Sequence, residues 1–417
     1  MQRIVSILLV LYAFAVPWQY ALDLGEPFGN VARIVGLLLL AAAIPALLAR
    51  PRWSRPHPLS LLVLALFLYL SATYLWSIDP LATLDKIRAY FQVMMVVWIA
   101  GEFVERPAQF RHLLRALLLG SIVLCALTFA GFLSASAAAA AEQARFTASG
   151  QDPNDVARFL DLVFPIAAYL IAIERSGWLR LLAALYFPLG LLAVLLTASR
   201  GGFLGAVVAL LAAAVLFLRW RPVFAAWAGL LLALSASATA LIVPPETFAR
   251  LATIPAQFAS LDFNDRFSIW TAGLHAFAHA PWLGFGAGNY ALASGLAAED
   301  TAHNTLVALL VMGGLLAASL LVAILLAALA AILRARGLAR SAFLGVFLVW
   351  CVTASVGSVE ENRMTWLIFA CFLLVGKGLA ETESPPALPP ASQPRFQPTS
   401  PSPLPSAPPL SPQESAG

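Results

Sequence analysis

The chain has 417 residues, of which 61% are apolar and only 11% charged, against about 25% charged in soluble domains. A soluble domain of this size cannot hide so much apolar side chain, whereas lipid accepts it, because a helix of about 20 apolar residues spans the hydrocarbon and satisfies its own backbone. The formal charge of +4 is scattered between hydrophobic runs, which excludes a nucleic-acid binder with its concentrated basic domain.

Apolar stretches of spanning length lie at roughly 4–22, 31–49, 58–76, 88–104, 112–133, 156–174, 179–198, 202–218, 222–243, 304–333, 339–357 and 363–379. The expected fold is therefore all-α: a polytopic membrane protein of about 12 transmembrane helices, surrounded by membrane lipids. The opening Met1-Gln2-Arg3 and its apolar run resemble a signal peptide, but the run continues through Trp18 and Tyr20. It reads as a retained first helix. Cys125, Cys351 and Cys371 fall inside apolar runs without metal or redox spacing, as small core residues do.

Lys and Arg set the orientation. With the N-terminus in the cytoplasm, 16 of the 25 basic residues face inward, Arg395 on the tail included. The nine that break the rule are Arg33, Lys86, Arg88, Arg145, Arg158, Arg200, Arg250, Arg266 and Arg363. Both termini are then cytoplasmic, and the ionisable groups of interest face the non-cytoplasmic side. Residues 1–379 form the membrane domain, interrupted by one large outer loop, 244–303, which contains helices. Residues 382–417 carry 12 of the 28 prolines, so 380–417 reads as a disordered cytoplasmic tail.

Chemistry is sought among the outer basic residues. In Ser199-Arg200-Gly201-Gly202, Ser199 caps the next helix and the two glycines leave its first N–H groups uncovered. A guanidinium beside such an end makes an anion site, the alternative being a snorkelling interfacial Arg. From about 266 to 280 the pattern is helical, with Phe267, Trp270, Leu274 and Phe277 on one face and Ser268, Thr271, His275 and His279 on the other. Arg266 shares the apolar face and stands where the helix dipole disfavours a cation, so it points to a bound anion or to a salt bridge with Asp262 or Asp265.

Farther on, Asp300 or Thr301 is expected to cap the tenth span. That leaves His303 in its first turn, where the dipole holds imidazole neutral and fit to act as a general base. Asp152 with Pro153 is an ordinary helix start, and Arg158 lies three residues from Asp155 and from Asp161, within reach of a local ion pair. Arg145 has no such partner and is a candidate ligand; Lys86 and Arg88 are snorkelling anchors or phosphate contacts. Gly284-Phe285-Gly286-Ala287-Gly288-Asn289 looks like a phosphate loop but follows no strand, so it reads as a turn. His275 and His279 have metal spacing without the glutamate of HExxH; no metal and no cofactor are expected. Glu360, Glu361 and Arg363 form a charged outer turn that either holds a second carboxylate for the site or caps two helices.

Arg145 with Asp152-Pro153-Asn154, Ser199-Arg200-Gly201-Gly202, Asp265-Arg266 with Trp270, His279-Ala280-Pro281-Trp282-Leu283-Gly284-Phe285-Gly286, and His303-Asn304 occur in this order over about 145–315. Together they resemble the O-antigen ligase and polymerase superfamily of bacterial envelope glycosyltransferases. The resemblance implies inverting, metal-independent transfer of a glycan from undecaprenyl diphosphate, in ligases to a sugar of the lipid A–core oligosaccharide. Carried over, Arg200 and Arg266 grip the diphosphate as it leaves and His303 takes the acceptor proton. Arg145, Lys86, Arg88, Arg158, Asn304 and His279 are the expected substrate contacts. Rivals are an O-antigen polymerase, a protein O-oligosaccharyltransferase, or a transporter. A transporter calls for ionisable groups at mid-membrane, to which Asp161 is the nearest approach.

Overall fold

The computed structural model describes residues 1–25, 29–49, 56–135, 145–148, 150–220, 241–260, 266–298 and 300–380, together with 229, 233, 237 and 239. The expected ninth span, the tail and the acidic partners Asp262 and Asp265 fall largely or wholly outside them. Among the described residues the fold is all-helical, with one isolated bridge between Asp23 and Asn30. Among the described residues eight helices are long and apolar enough to cross a membrane. They are α2 (Val31–Leu48), α3 (Pro58–Ala72, extended to Leu75 by a 3-10 turn), α5 (Pro107–Ser134), α6 (Pro153–Ile173), α7 (Gly177–Leu196), α8 (Arg200–Trp220), α13 (Thr305–Arg334) and α14 (Gly337–Ser355). Two apolar helices are shorter, α1 (Gln2–Ala15) and α15 (Arg363–Gly376). A further long helix, α4 (Pro80–Phe103), carries Asp85, Lys86 and Arg88 near its start.

Beyond α8, the described residues before α13 include the short helices α9 (Pro245–Leu251), α10 (Ile254–Ser260), α11 (Arg266–His279) and α12 (Tyr290–Ala293). The centre of the bundle is α6, buried without a break from Val156 to Leu170 and packed by α5, α7, α8 and α14. Its contact with α8 needs glycine. A Cβ on Gly202 would stand 2.2 Å from that of Ala157, and one on Gly205 would stand 2.3 Å from Asp161 Oδ2. Small residues let helix backbones approach closely where lipid offers no hydrophobic drive. The expectation that Gly201 and Gly202 merely bare the helix end is corrected accordingly: Gly202 donates its N–H to Ser199 Oγ (3.1 Å) and packs against α6.

The glycine-rich segment after α11 is a turn, as its residues require, and it mends a broken helix. At Gly314 the backbone of α13 turns non-helical (φ 63°, ψ −162°), which frees polar groups about two and a half turns into the helix. The Val311 and Met312 carbonyls accept from Phe285 N (3.0 Å) and Gly286 N (2.9 Å), while Leu315 N donates to Pro281 O (2.8 Å). Tyr69 Oη closes the remaining gap by donating to Gly313 O (2.7 Å). A backbone break in a spanning helix is tolerated only where its groups are re-paired in this way. The turn is thereby fastened to α13 on both sides of the kink, and Asn289 ties it to Ser77 (2.8 Å).

Candidate active site

The N-termini of α6, α8, α11 and α13 meet α9 and the α14–α15 turn at one end of the bundle. α6 starts as its sequence demands: the Asp152 carboxylate accepts from Asn154 N (2.8 Å) and Asp155 N (3.3 Å), with Pro153 in the first turn. Asn154 then organises what lies beside it. Its Oδ1 accepts from Arg145 Nη2 (3.1 Å) and from Ser199 Oγ (2.7 Å). Arg145 also donates through Nε to Thr197 O (3.3 Å), and Phe146 N donates to Leu196 O (2.9 Å). The segment before α6 is thus strapped to the end of α7. Replacing Asn154 with Leu removes the acceptor from both neighbours and leaves the half-buried Arg145 guanidinium held by Thr197 O alone. Thermal unfolding of Asn154→Leu is expected several degrees below the parent.

Arginines gather here with few carboxylates to balance them. Arg158 pairs with Asp155, and its Nη1 is buried without a partner. Arg200 donates through Nε to the Arg250 carbonyl (3.3 Å). Arg158 and Arg266 line a small cavity with Asn154, Ser199, Gly202 and Thr353. Burial pushes the pKa of Arg145 down and repulsion from Arg250 adds to it; for Arg266 the causes are burial and then Arg158. A guanidinium stays charged despite such shifts, so the finding to explain is cations crowding one another around a hollow.

His303 faces this cluster, though not from the first turn of α13. Asn304 is the cap, accepting from Leu306 N (3.0 Å) and Val307 N (3.1 Å), so His303 precedes it in the left-handed region at φ 47°. Asp300 and Thr301 do not cap the helix. His303 is nonetheless held neutral, for other reasons than the dipole: burial first, then Arg266, push its pKa below the ordinary value. Its ring Nδ1 lies 3.4 Å from Thr301 Oγ1. The only other non-glycine residue in the left-handed region, among those described, is Ala198, which precedes Ser199 and Arg200. Strain of this kind is of order 1–3 kcal/mol per residue and collects at functional sites. Here it falls on His303 itself and two residues before Arg200.

The turn that carries His303 is locked in place. Trp270 Nε1 donates to Ala302 O (2.8 Å), Asn304 Nδ2 to Ser355 O (3.1 Å), and Thr305 Oγ1 to Gly357 O (2.9 Å). Asn304 therefore holds the turn with both ends of its amide. On α11 the buried residues are Gly273 and Ala276, and Phe267 and Leu274 are exposed, which corrects the apolar face expected from the wheel. Gly273 is small because Tyr290 lies on it.

Not every expected contact joins the cluster. Lys86 binds Glu361 (Nζ–Oε2 2.6 Å), and Arg88 is an exposed partner of Asp85 (2.9 Å). His279 donates through Nδ1 to His275 O of its own helix (2.9 Å), and lines a separate groove with Thr271, His275, Phe285 and Ser294. Two groups went unmarked as site residues in the sequence. Arg250 stood out only as one more basic residue on the wrong side. Glu360 is a buried acid pushed up to about 7 by burial and by Glu361, with Oε2 unpartnered. Among the described residues, no three His, Cys, Asp or Glu side chains are grouped to hold a metal ion.

Strained turns, crowded guanidinium groups and a neutral imidazole at one end of an apolar bundle describe a site for a polyanion and a proton acceptor. Residues 185–322 match the O-antigen ligase family. The matched stretch contains Arg200, Arg250, Arg266 and His303, and it supports the resemblance to the O-antigen ligase and polymerase superfamily, a class of membrane glycosyltransferase-like enzymes. No curated protein matches the chain. Arg145, Arg158 and Glu360 lie outside the O-antigen ligase match, so their place in the site rests on geometry alone.

Proposed function

We propose that this protein is an O-antigen ligase, which transfers a glycan from undecaprenyl diphosphate to the lipid A–core oligosaccharide by an inverting, metal-independent displacement. The reading takes the bundle as about 12 spans in a bacterial inner membrane, with both termini cytoplasmic and the site open to the periplasm. The observation that carries it is the hollow lined by Arg158 and Arg266, with Arg266 close enough to lower the pKa of the half-buried His303 and with Arg200 held nearby on the Arg250 carbonyl. In the reaction His303 accepts the proton of the acceptor hydroxyl. The hydroxyl oxygen bonds to the anomeric carbon as the bond from that carbon to the diphosphate oxygen breaks. The arginines stabilise the charge that accumulates on the leaving diphosphate. Arg145 and Arg158 contribute to the same field, and Lys86 acts on it through Glu361. Asn304 positions His303.

Purified protein reconstituted with lipid-linked glycan and lipid A–core decides between this reading and its rivals. Sugar on lipid A is the expected product. Longer lipid-linked chains make the protein a polymerase, glycosylated protein makes it an oligosaccharyltransferase, and no product with a translocated solute makes it a transporter. In the same assay Arg200→Ala and Arg266→Ala are each expected to lower turnover about 10²–10³-fold, the loss typical when one charge-stabilising donor is removed from a transition state. Donor binding should weaken in both variants.

A further inference from the structure

The outer arginines fall into two sets. For Arg266 the strongest opposing cation is Arg158. For Arg200 and for Arg145 it is Arg250. Arg158 and Arg266 share the hollow described above, while Arg250 approaches from α9, a helix of the large loop. Its backbone carbonyl holds Arg200 Nε (3.3 Å) and Thr253 Oγ1 (2.8 Å). The side chain is differently placed: Nε is buried and has no hydrogen-bond partner. A buried guanidinium N–H without an acceptor, drawn up against two other guanidinium groups, is unfavourable twice over, by lost hydrogen bonding and by repulsion. A single anion accepting from these groups would relieve both.

We propose that Arg250 is a further substrate-gripping residue, which binds one phosphate of a lipid-linked diphosphate together with Arg145 and Arg200 while Arg158 and Arg266 hold the other. The assignment rests on the glycosyltransferase reading above and deepens it. A diphosphate offers two clusters of acceptor oxygens a few ångströms apart, and two sets of planar donor forks match it better than one. Because Arg200 is tethered to the backbone of residue 250, replacing the side chain leaves that tether in place. It also follows that the large loop takes part in holding the donor, with α9 as the element that brings the charge in.

The test uses the full-length protein in lipid nanodiscs, with undecaprenyl diphosphate as probe and undecaprenol, which lacks phosphate, as its control. Arg250→Ala is expected to weaken undecaprenyl diphosphate binding at least tenfold and leave undecaprenol binding unchanged. Arg250→Lys, which keeps the charge but not the fork, should recover part of the loss. Competition by inorganic pyrophosphate should weaken in parallel, a readout that a merely structural role for Arg250 would not move. If the parent prefers undecaprenyl diphosphate to undecaprenol and Arg250→Ala binds it within twofold of the parent, the inference is overturned and the glycosyltransferase reading stands. If the parent itself shows no preference for the diphosphate, that reading falls and takes the inference with it. Should Arg250→Ala fail to fold, Arg250→Lys carries the comparison: unaltered affinity and unaltered pyrophosphate competition overturn the assignment.

Discussion

His303→Ala is expected to lower glycan transfer by about 10²–10⁴-fold, the range over which a positioned general base acts, while donor binding stays close to the parental value. The separation follows from the division of labour in the site. Arginines supply the charge that holds an anion, and a neutral imidazole adds little to it. The pH dependence sharpens the test. Burial and the Arg266 charge lower the pKa of His303, so the ring loses its proton below the ordinary histidine value. Transfer should therefore rise with pH through an acid limb lying below 6.5 and be level near neutrality. Arg266→Lys preserves the charge and should leave the limb in place. In Arg266→Ala the repulsion is gone, the imidazolium becomes easier to form, and the limb should move toward higher pH. Parental turnover in His303→Ala would remove the base from the mechanism.

Sidedness of charge was the strongest signal in the sequence, because lipid makes it so. With the N-terminus taken as cytoplasmic, Arg145, Arg158, Arg200 and Arg266 read as basic residues against the usual distribution, and Arg158 and Arg266 line one small cavity. Local capping was legible too: Asp152 and Ser199 do what their positions ask. Burial was not. In water the apolar face of a helix is the buried one, but beside lipid the exposed face is apolar as well, and small residues mark the contacts. On α11, in the large loop, the wheel marked an apolar face, yet Gly273 and Ala276 are the buried residues while Phe267 and Leu274 of that face are exposed. Arg250 and Glu360 were opaque for a different reason. Their roles depend on which turns meet at the end of the bundle, and no periodicity records that. His303 shows both sides at once: its neutrality was foreseen, but the cause lies in burial and Arg266 rather than in a helix dipole.

Gly314→Ala is expected to damage the fold more than any other one-methyl change in the outer half of α13. The backbone there is at φ 63°, ψ −162°, a conformation that only glycine adopts freely and that costs a side-chain-bearing residue about 1–3 kcal/mol. Space is a second obstacle. The added Cβ would stand 2.3 Å from Trp282 O and 2.7 Å from Leu283 N, both backbone atoms of the turn that pairs with the kink. Neither can yield without breaking the bonds from Phe285, Gly286 and Leu315 that re-satisfy the broken helix. Gly284 repeats the constraint from the other side, its own Cβ lying 2.6 Å from Gly313 N and Met312 O. The variant should show a melting temperature lowered by many degrees, or fail to accumulate in the membrane. Gly177→Ala is the control: nothing lies within 4 Å of the Cβ it would add, and it should stay within about 0.5 kcal/mol of the parent. Equal stability of the two variants would show that the turn is free to move off α13. The segment between α11 and α12 would then be a hinge of the large loop, and the site would owe its arrangement to the bonds around Asn154 and Asn304 alone.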